Sequence, residues 1–275
     1  MADARPLMAG KRGLVMGVAN DHSIAWGIAQ SIHDQGGEVA FTHQGDAQLK
    51  RLKPLADSIG AKIIQQCDVE SDTQIDAVFA TLKKHWGSID YVVHAVAFSD
   101  REELKGRYVN TTRENFIHSL AISCYSFTAV AQRAIAIMNP GGSLLTLTYL
   151  GSSRVTPNYN VMGVAKAGLE ASVRYLAADL GPDGIRVNAI SAGPMRTLAG
   201  SVIGESRSVF RWNKHHSPLR KTVEMENVGN AALYLLSDMG AGVTGEIHFV
   251  DAGFNIVSMP SSSDLAAYVA GPGDD

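Results

Sequence analysis

Apolar runs of five to eight residues recur along the chain. The runs are Arg12–Gly17, Glu38–Thr42, Lys62–Cys67, Ile89–Val96, Ser143–Leu147, Ile185–Ile190 and Gly245–Val250. They read as buried strands, because a strand covered on both faces is apolar throughout rather than alternating. Between them lie longer segments with apolar positions three and four apart, the spacing of one helical face. Ile24, Ile28, Ala29 and Ile32 mark the first, over 24–35. Helices are likewise predicted over 46–59, 71–86, 111–138, 162–180 and 223–237, with Asn139-Pro140-Gly141-Gly142 as a breaker. Strands alternating with helices predict one doubly wound α/β domain: a seven-stranded parallel sheet with helices on both faces.

In such a sheet ligands sit beyond the carboxyl ends of the strands, so the residues there are the candidates. Gly17 ends the first run, and Ser23 and Ile24 open the first helix, whose amides and dipole suit a pyrophosphate. Ser23 reads as the helix cap and as a phosphate donor; Gly27 reads as the point where helix and strand approach closely. After the second run stands Gln44, with neither the acid that holds an adenosine ribose nor an arginine for a 2′-phosphate. That favours NADH over NADPH. Lys50 and Arg51 read as a solvated helix face. Asp68 is placed to accept from an adenine amino group, or to cap the following helix, and Val69 to pack on the ring. Val96 and Ala97 are small enough for a cofactor ribose to lie on the backbone, with Phe98 and Ser99 opening a loop beside a nicotinamide. Met195 and Thr197 follow a rigid Gly193-Pro194 turn and can hold a carboxamide and a phosphate.

The fifth run delivers Thr148 and Tyr149, and Tyr159 and Lys166 stand seven apart, close to two helical turns, on one face. A phenol of pKa about 10 is a poor acid near neutrality, and a neighbouring ammonium eases loss of its proton. The ammonium can also donate to ribose hydroxyls. Tyr149, Tyr159 and Lys166 are therefore expected to converge. Leu198 to Lys221 reads either as a lid, with Leu198, Val202, Ile203 and Phe210 toward a greasy ligand, or as a solvated helix. Its Arg207, Arg211, Lys214, Arg220 and Lys221 outnumber one acid, Glu205, which suits an acidic carrier protein.

Charge excludes one class of partner. A net charge of −3 over 275 residues carries no polyelectrolyte signature, so nucleic acid is not expected. Two cysteines, Cys67 and Cys124, build neither a disulfide framework nor a zinc site, and neighbours His215 and His216 are not expected to face one metal. No metal is expected. Met1 to Lys11 lacks the apolar run of a signal peptide, and no segment nears the roughly 20 apolar residues of a membrane span, so a cytoplasmic protein without membrane insertion is expected. Residues 261–275, rich in Ser, Gly and Asp, read as a loosely held tail on a 1–260 domain that includes a 197–221 substrate lid.

These residues resemble the NADH-dependent enoyl-(acyl carrier protein) reductases, a divergent branch of the short-chain dehydrogenase/reductase superfamily. The resemblance covers Leu7 to about Pro260. It rests on Gly17-Val18-Ala19-Asn20-Asp21-His22-Ser23-Ile24-Ala25-Trp26-Gly27, on Tyr149 with Tyr159 and Lys166, on Asn188 through Thr197, and on Thr244-Gly245-Glu246 with Asp251-Ala252-Gly253. Ordinary superfamily members pair Tyr and Lys four apart behind a glycine-rich loop; this chain has neither. The resemblance implies a Rossmann-like domain and reduction of a trans-2-enoyl thioester on acyl carrier protein, with NADH going to NAD+. It implies Tyr159 on the thioester oxygen, Lys166 on the nicotinamide ribose, Tyr149 in a supporting role, and a homotetramer. Gly17, Ser23, Ile24, Gln44, Asp68, Val69, Lys166, Met195 and Thr197 match the family's cofactor positions. Ala97 and Ser99 depart from the Gly and Ala that many relatives carry around Phe98.

Overall fold

The computed structural model describes residues 6–195, 197, 206–262 and 264. Seven parallel strands form one sheet in the order β3-β2-β1-β4-β5-β6-β7. They are β1 (Arg12–Met16), β2 (Glu38–His43), β3 (Ile64–Gln66), β4 (Ile89–His94), β5 (Met138–Thr148), β6 (Arg186–Ala192) and β7 (Ile247–Val250). The order reverses between β1 and β4, which leaves a crevice at their carboxyl ends. All seven strands were predicted. β5 begins earlier than its apolar run: Met138 pairs with Ile89, the register then shifts, and Ser143 pairs with Tyr91. The Asn139–Gly142 breaker therefore lies inside the strand as its irregular section.

Helices cover both faces. On one lie α1 (Ile24–Asp34), α2 (Asp46–Ser58) and α8 (Met225–Leu236), whose Ile28, Ile32, Leu52, Val228 and Leu236 pack with Val15, Phe41 and Val93 of the sheet. On the other lie α3 (Asp72–Trp86), α5 (Ser126–Ala134) and α6 (Asn160–Leu180), whose Phe79, Phe127, Val130 and Leu169 pack with Leu14, Val92 and Leu144. The strands are buried from both sides, which is why their sequences do not alternate. Ser71 caps α3 by accepting from the Gln74 amide, an arrangement worth about 1 kcal/mol. Asp68 does not cap that helix.

Gly27 serves a different approach from the one its position suggested. A Cβ there would stand 3.0 Å from Cβ of Met225, and one at Gly229 would stand 2.1 Å from the Ser31 hydroxyl. The two glycines let α1 and α8 touch helix to helix.

The segment read as one helix over 111–138 is three pieces: α4 (Arg113–Leu120), a π-helical turn (Ala121–Tyr125) and α5. Two of its small residues make contacts within the chain. Ser123 bonds the Phe98 backbone at 2.9 Å, and Ser126 lies 2.8 Å from the His94 ring. Part of the expected lid is α7 (Ser206–His216), while the candidates Leu198 and Ile203 lie outside the described residues. Among the described residues no helix is long and apolar enough to cross a membrane.

Candidate active site

Most of the candidates line up along one rim, because each follows the carboxyl end of a strand. Gly17 follows β1, Gln44 β2, Asp68 and Val69 β3, Val96 to Ser99 β4, Tyr149 β5, and Met195 β6. Gly17 adopts φ +93°, and a Cβ on it would sit 2.0 Å from the Ala95 carbonyl oxygen. Only glycine lets β1 and β4 come this close at the crevice. The loop beyond it is braced from inside. Ser23 Oγ accepts from the amides of Ala19 and Asn20, both at 3.0 Å, and makes no bond to the helix it precedes. It therefore shapes the loop rather than capping α1, and the amides of Ile24 and Ala25 stand at the helix's open end. Two α2 side chains reach across to the same loop: Gln48 Nε2 donates to Val18 O at 2.8 Å, and Arg51 Nε to Ala19 O at 2.8 Å. Arg51 had read as a solvated charge; an arginine that crosses from a neighbouring helix leaves no local signal.

Gln44 and Asp68 meet directly, with Gln44 Nε2 donating to Asp68 Oδ2 at 3.1 Å. They form one polar edge of the crevice and present carboxylate and amide oxygens, with no cation between them. Val69 and Val96 are half-buried against the core, and Met195 packs on the opposite layer. The Thr197 amide closes a short turn onto Met195 O at 2.9 Å. A glycine at the mouth of the crevice, an open helix N-terminus and a polar rim suit a dinucleotide.

At the end of β5 the Tyr149 and Tyr159 rings meet edge to face, with centroids 5.0 Å apart, a contact worth roughly 0.5–1.5 kcal/mol beyond its burial. Tyr159 is 6% exposed, packed with Leu104, Val161 and Met162, and its hydroxyl makes no hydrogen bond to a described residue. Lys166 is also 6% exposed; its ammonium donates to Leu147 O at 2.7 Å. One hydrogen is thus fixed on the strand and two remain for other acceptors.

The electrostatics differ from the sequence expectation. Burial pushes the Tyr159 phenol far above its ordinary range, helped by Tyr149 and then Glu170, and no opposing pull from Lys166 is resolved. The phenol is a fixed neutral donor, not a proton on the verge of leaving. Burial likewise raises Tyr149. The lysine bears the titration: burial lowers it to about 8, against the opposing influences of Cys124 and Glu170. His94, unremarked in the sequence, lies fully buried between Ser126 and Thr146; burial first and Lys166 second lower it to about 3. It stays neutral beside the ammonium. Glu170, one turn beyond Lys166, accepts from Thr148 Oγ1 at 2.7 Å and bears on both Lys166 and Tyr159.

The family model described as enoyl-(acyl carrier protein) reductase matches residues 17–255. The chain belongs to this family. It is 62% identical to enoyl-(acyl carrier protein) reductase (NADH) 2 of Rhizobium meliloti (strain 1021), over 94% of this chain and 97% of that protein. Among solved structures, FabI from Candidatus Liberibacter asiaticus matches with TM-score 0.92 and 53% identity, over 94% of this chain and all of the other. An enoyl-(acyl carrier protein) reductase of Anaplasma phagocytophilum in complex with NAD matches with TM-score 0.90 and 53% identity, over 94% and 97%. Of the remaining candidates in this enoyl reductase, three follow β4 and one lies on α7. Ala97 is exposed, Phe98 is 47% exposed with its ring 5.0 Å from that of His118, and Ser99 is half-buried. Phe210 is half-buried on α7. His215 and His216 both approach Asp264, at 2.9 and 3.9 Å.

Proposed function

We propose that the chain reduces the trans-2 double bond of an enoyl thioester carried on acyl carrier protein, with NADH as the donor, and that Tyr159, Tyr149 and Lys166 carry the reaction. The observation that bears most weight is the edge-to-face tyrosine pair together with a buried lysine bonded to the end of β5, in a chain of this family. NADH, when bound, supplies hydride to the β-carbon, and negative charge develops on the thioester oxygen. Tyr159 offers that oxygen a hydroxyl already desolvated and unshared, so it needs no reorganisation as the charge appears. Tyr149 limits the position of the Tyr159 ring and shields the thioester from water. Lys166, tethered to Leu147 O, turns its remaining hydrogens to the nicotinamide ribose and fixes the donor's distance. The α-carbon takes its proton from solvent. Gly17, Ser23, Ile24, Gln44, Asp68, Val69, Val96, Met195 and Thr197 hold the rest of the dinucleotide; Ala97, Phe98, Ser99 and Phe210 serve the acyl side.

Arg211, Lys214 and Arg220 stand together beside α7, which supports docking of an acidic carrier there. Ile117, Tyr125 and Tyr175 are each more than half exposed on α4, the π-helical turn and α6, which supports a homotetramer; the assembly works in the cytoplasm. The deciding assay is loss of NADH absorbance with crotonyl thioester, run beside acetoacetyl thioester and NADPH. Oxidation with the enoyl substrate is expected; activity confined to the keto substrate would overturn the assignment.

The buried lysine also sets a pH dependence. The ammonium is present below about 8 and lost above it, so kcat/KM falls on the alkaline side. Glu170 raises that pKa, so Glu170→Gln removes a charge that favours the ammonium, and the alkaline limb moves to lower pH. Profiles of the two proteins should converge near pH 6 and separate near about pH 9. Superimposable alkaline limbs would remove Glu170 from this role.

A further inference from the structure

The loop after β4 is held by polar groups rather than by a core. Within 99–107 only Leu104 is buried; Phe98, Tyr108 and Val109 beside it are 47%, 47% and 71% exposed. Two side chains gather the loop. The Glu103 carboxylate accepts from the Thr112 amide at 3.0 Å, the Thr112 hydroxyl at 2.7 Å and Asn115 Nδ2 at 3.2 Å. Asn115, 6% exposed on α4, accepts through Oδ1 from the Asp100 amide at 3.0 Å and the Ser99 hydroxyl at 3.3 Å, with Ser119 Oγ at 3.2 Å.

The same loop touches Tyr159 in two ways. Leu104 packs in one cluster with Tyr159, Val161 and Met162. Asn160, directly after Tyr159, donates from Nδ2 to Glu103 O at 3.1 Å and Gly106 O at 3.4 Å. Its backbone has φ +36°, a left-handed conformation that a non-glycine residue holds only when its surroundings require it. The tie to the loop is such a requirement, and it sets the direction in which α6 begins.

We propose that Glu103 and Asn115 form a positioning clamp: by fixing the loop after β4, with its Leu104, against Tyr159 and Asn160, they set where the Tyr159 hydroxyl stands relative to the acyl substrate. Neither residue touches substrate or cofactor. The clamp bonds Ser99 and, through Leu104 and the Glu103 carbonyl, meets Tyr159 and Asn160, all on the acyl side, and bonds none of the dinucleotide candidates, so its loss acts on enoyl thioester binding more than on NADH binding. The Thr112 amide, the Thr112 hydroxyl and Asn115 all favour the Glu103 carboxylate and hold it below its ordinary range, so the clamp stays closed through mildly acidic pH.

The inference rests on the enoyl thioester as substrate, which turnover by the wild-type protein tests separately. Glu103→Gln and Asn115→Ala are compared with it for crotonyl-thioester KM, NADH Kd by fluorescence titration, thermal midpoint, and amide exchange at Asp100 and Thr112. Each variant should raise KM about tenfold, equivalent to about 1.4 kcal/mol, with NADH Kd within about twofold. Exchange at the two amides should quicken, and the double variant should cost less than the sum of the singles, as expected of one network. Faster exchange with unchanged KM would overturn the clamp. So would a parallel loss of NADH affinity and thermal midpoint, which marks a general folding defect. A silent wild-type protein strikes the substrate assignment instead, and unchanged exchange in the variants would then strike the clamp itself.

Discussion

Tyr159→Phe should lower kcat/KM for crotonyl thioester by about 10²–10³-fold, the loss seen when one preorganised donor to a developing oxyanion is removed. The ring is packed on all sides by Leu104, Val161, Met162 and Tyr149, and phenylalanine keeps those contacts. The hydroxyl bonds no described residue, so its removal leaves no orphaned partner in the resting protein. The loss should therefore fall on the transition state, with NADH Kd within about twofold and the thermal midpoint nearly unmoved. Because burial holds the phenol protonated far above its usual range, the wild-type protein should show no alkaline limb from this group. Retention of wild-type turnover by the phenylalanine variant would end its role as the donor.

Lys166→Met should act on both binding and turnover. Methionine matches the length of the buried stem, so the contacts of α6 with the sheet persist. The ammonium and its bonds disappear, and hydrogen bonds from a charged group are worth about 1.5–3 kcal/mol, so NADH Kd should rise about 10–100-fold. A donor held less firmly also reacts less often, and kcat should fall with it. Leu147 O loses its 2.7 Å partner, a local cost that should lower the thermal midpoint slightly without unfolding the chain. The alkaline limb near pH 8 should vanish in what activity remains. Unaltered NADH affinity in a folded variant would show that the lysine does not reach the cofactor.

The rim of the site was legible because each candidate follows an apolar run, and the end of such a run marks a strand's carboxyl end whatever its neighbours. Gly17, Gln44, Asp68 and Tyr149 all came from that rule. The helix that carries Lys166 was legible for the same reason, but Tyr159 does not share it: α6 begins at Asn160, whose left-handed backbone interrupts the helical spacing expected between the two. What failed depended on depth or on partners distant in sequence. The lysine's effect on Tyr159 was overestimated because sequence spacing carries no measure of desolvation, and burial outweighs the neighbouring charge. Gly27 was assigned to the strand because the partner it meets, Met225, lies far along the chain. Glu103 drew no notice because it sits in irregular backbone with no period to betray its contacts, and Asn115 because a polar residue buried on a helix adds nothing to the apolar pattern. Leu198 and Ile203 lie outside the described residues.

The π-helical turn at Ala121–Tyr125 has an evolutionary consequence. Such a turn holds one residue more than an α-helical turn, and each residue rotates a helix by about 100°. The rotation lets Asn115 and Ser119 face the loop while Ser126 faces His94, on what would otherwise be incompatible headings. Deleting one residue here would restore a smooth helix and swing one end away from its contacts. The segment should therefore tolerate substitution far better than it tolerates a change of length.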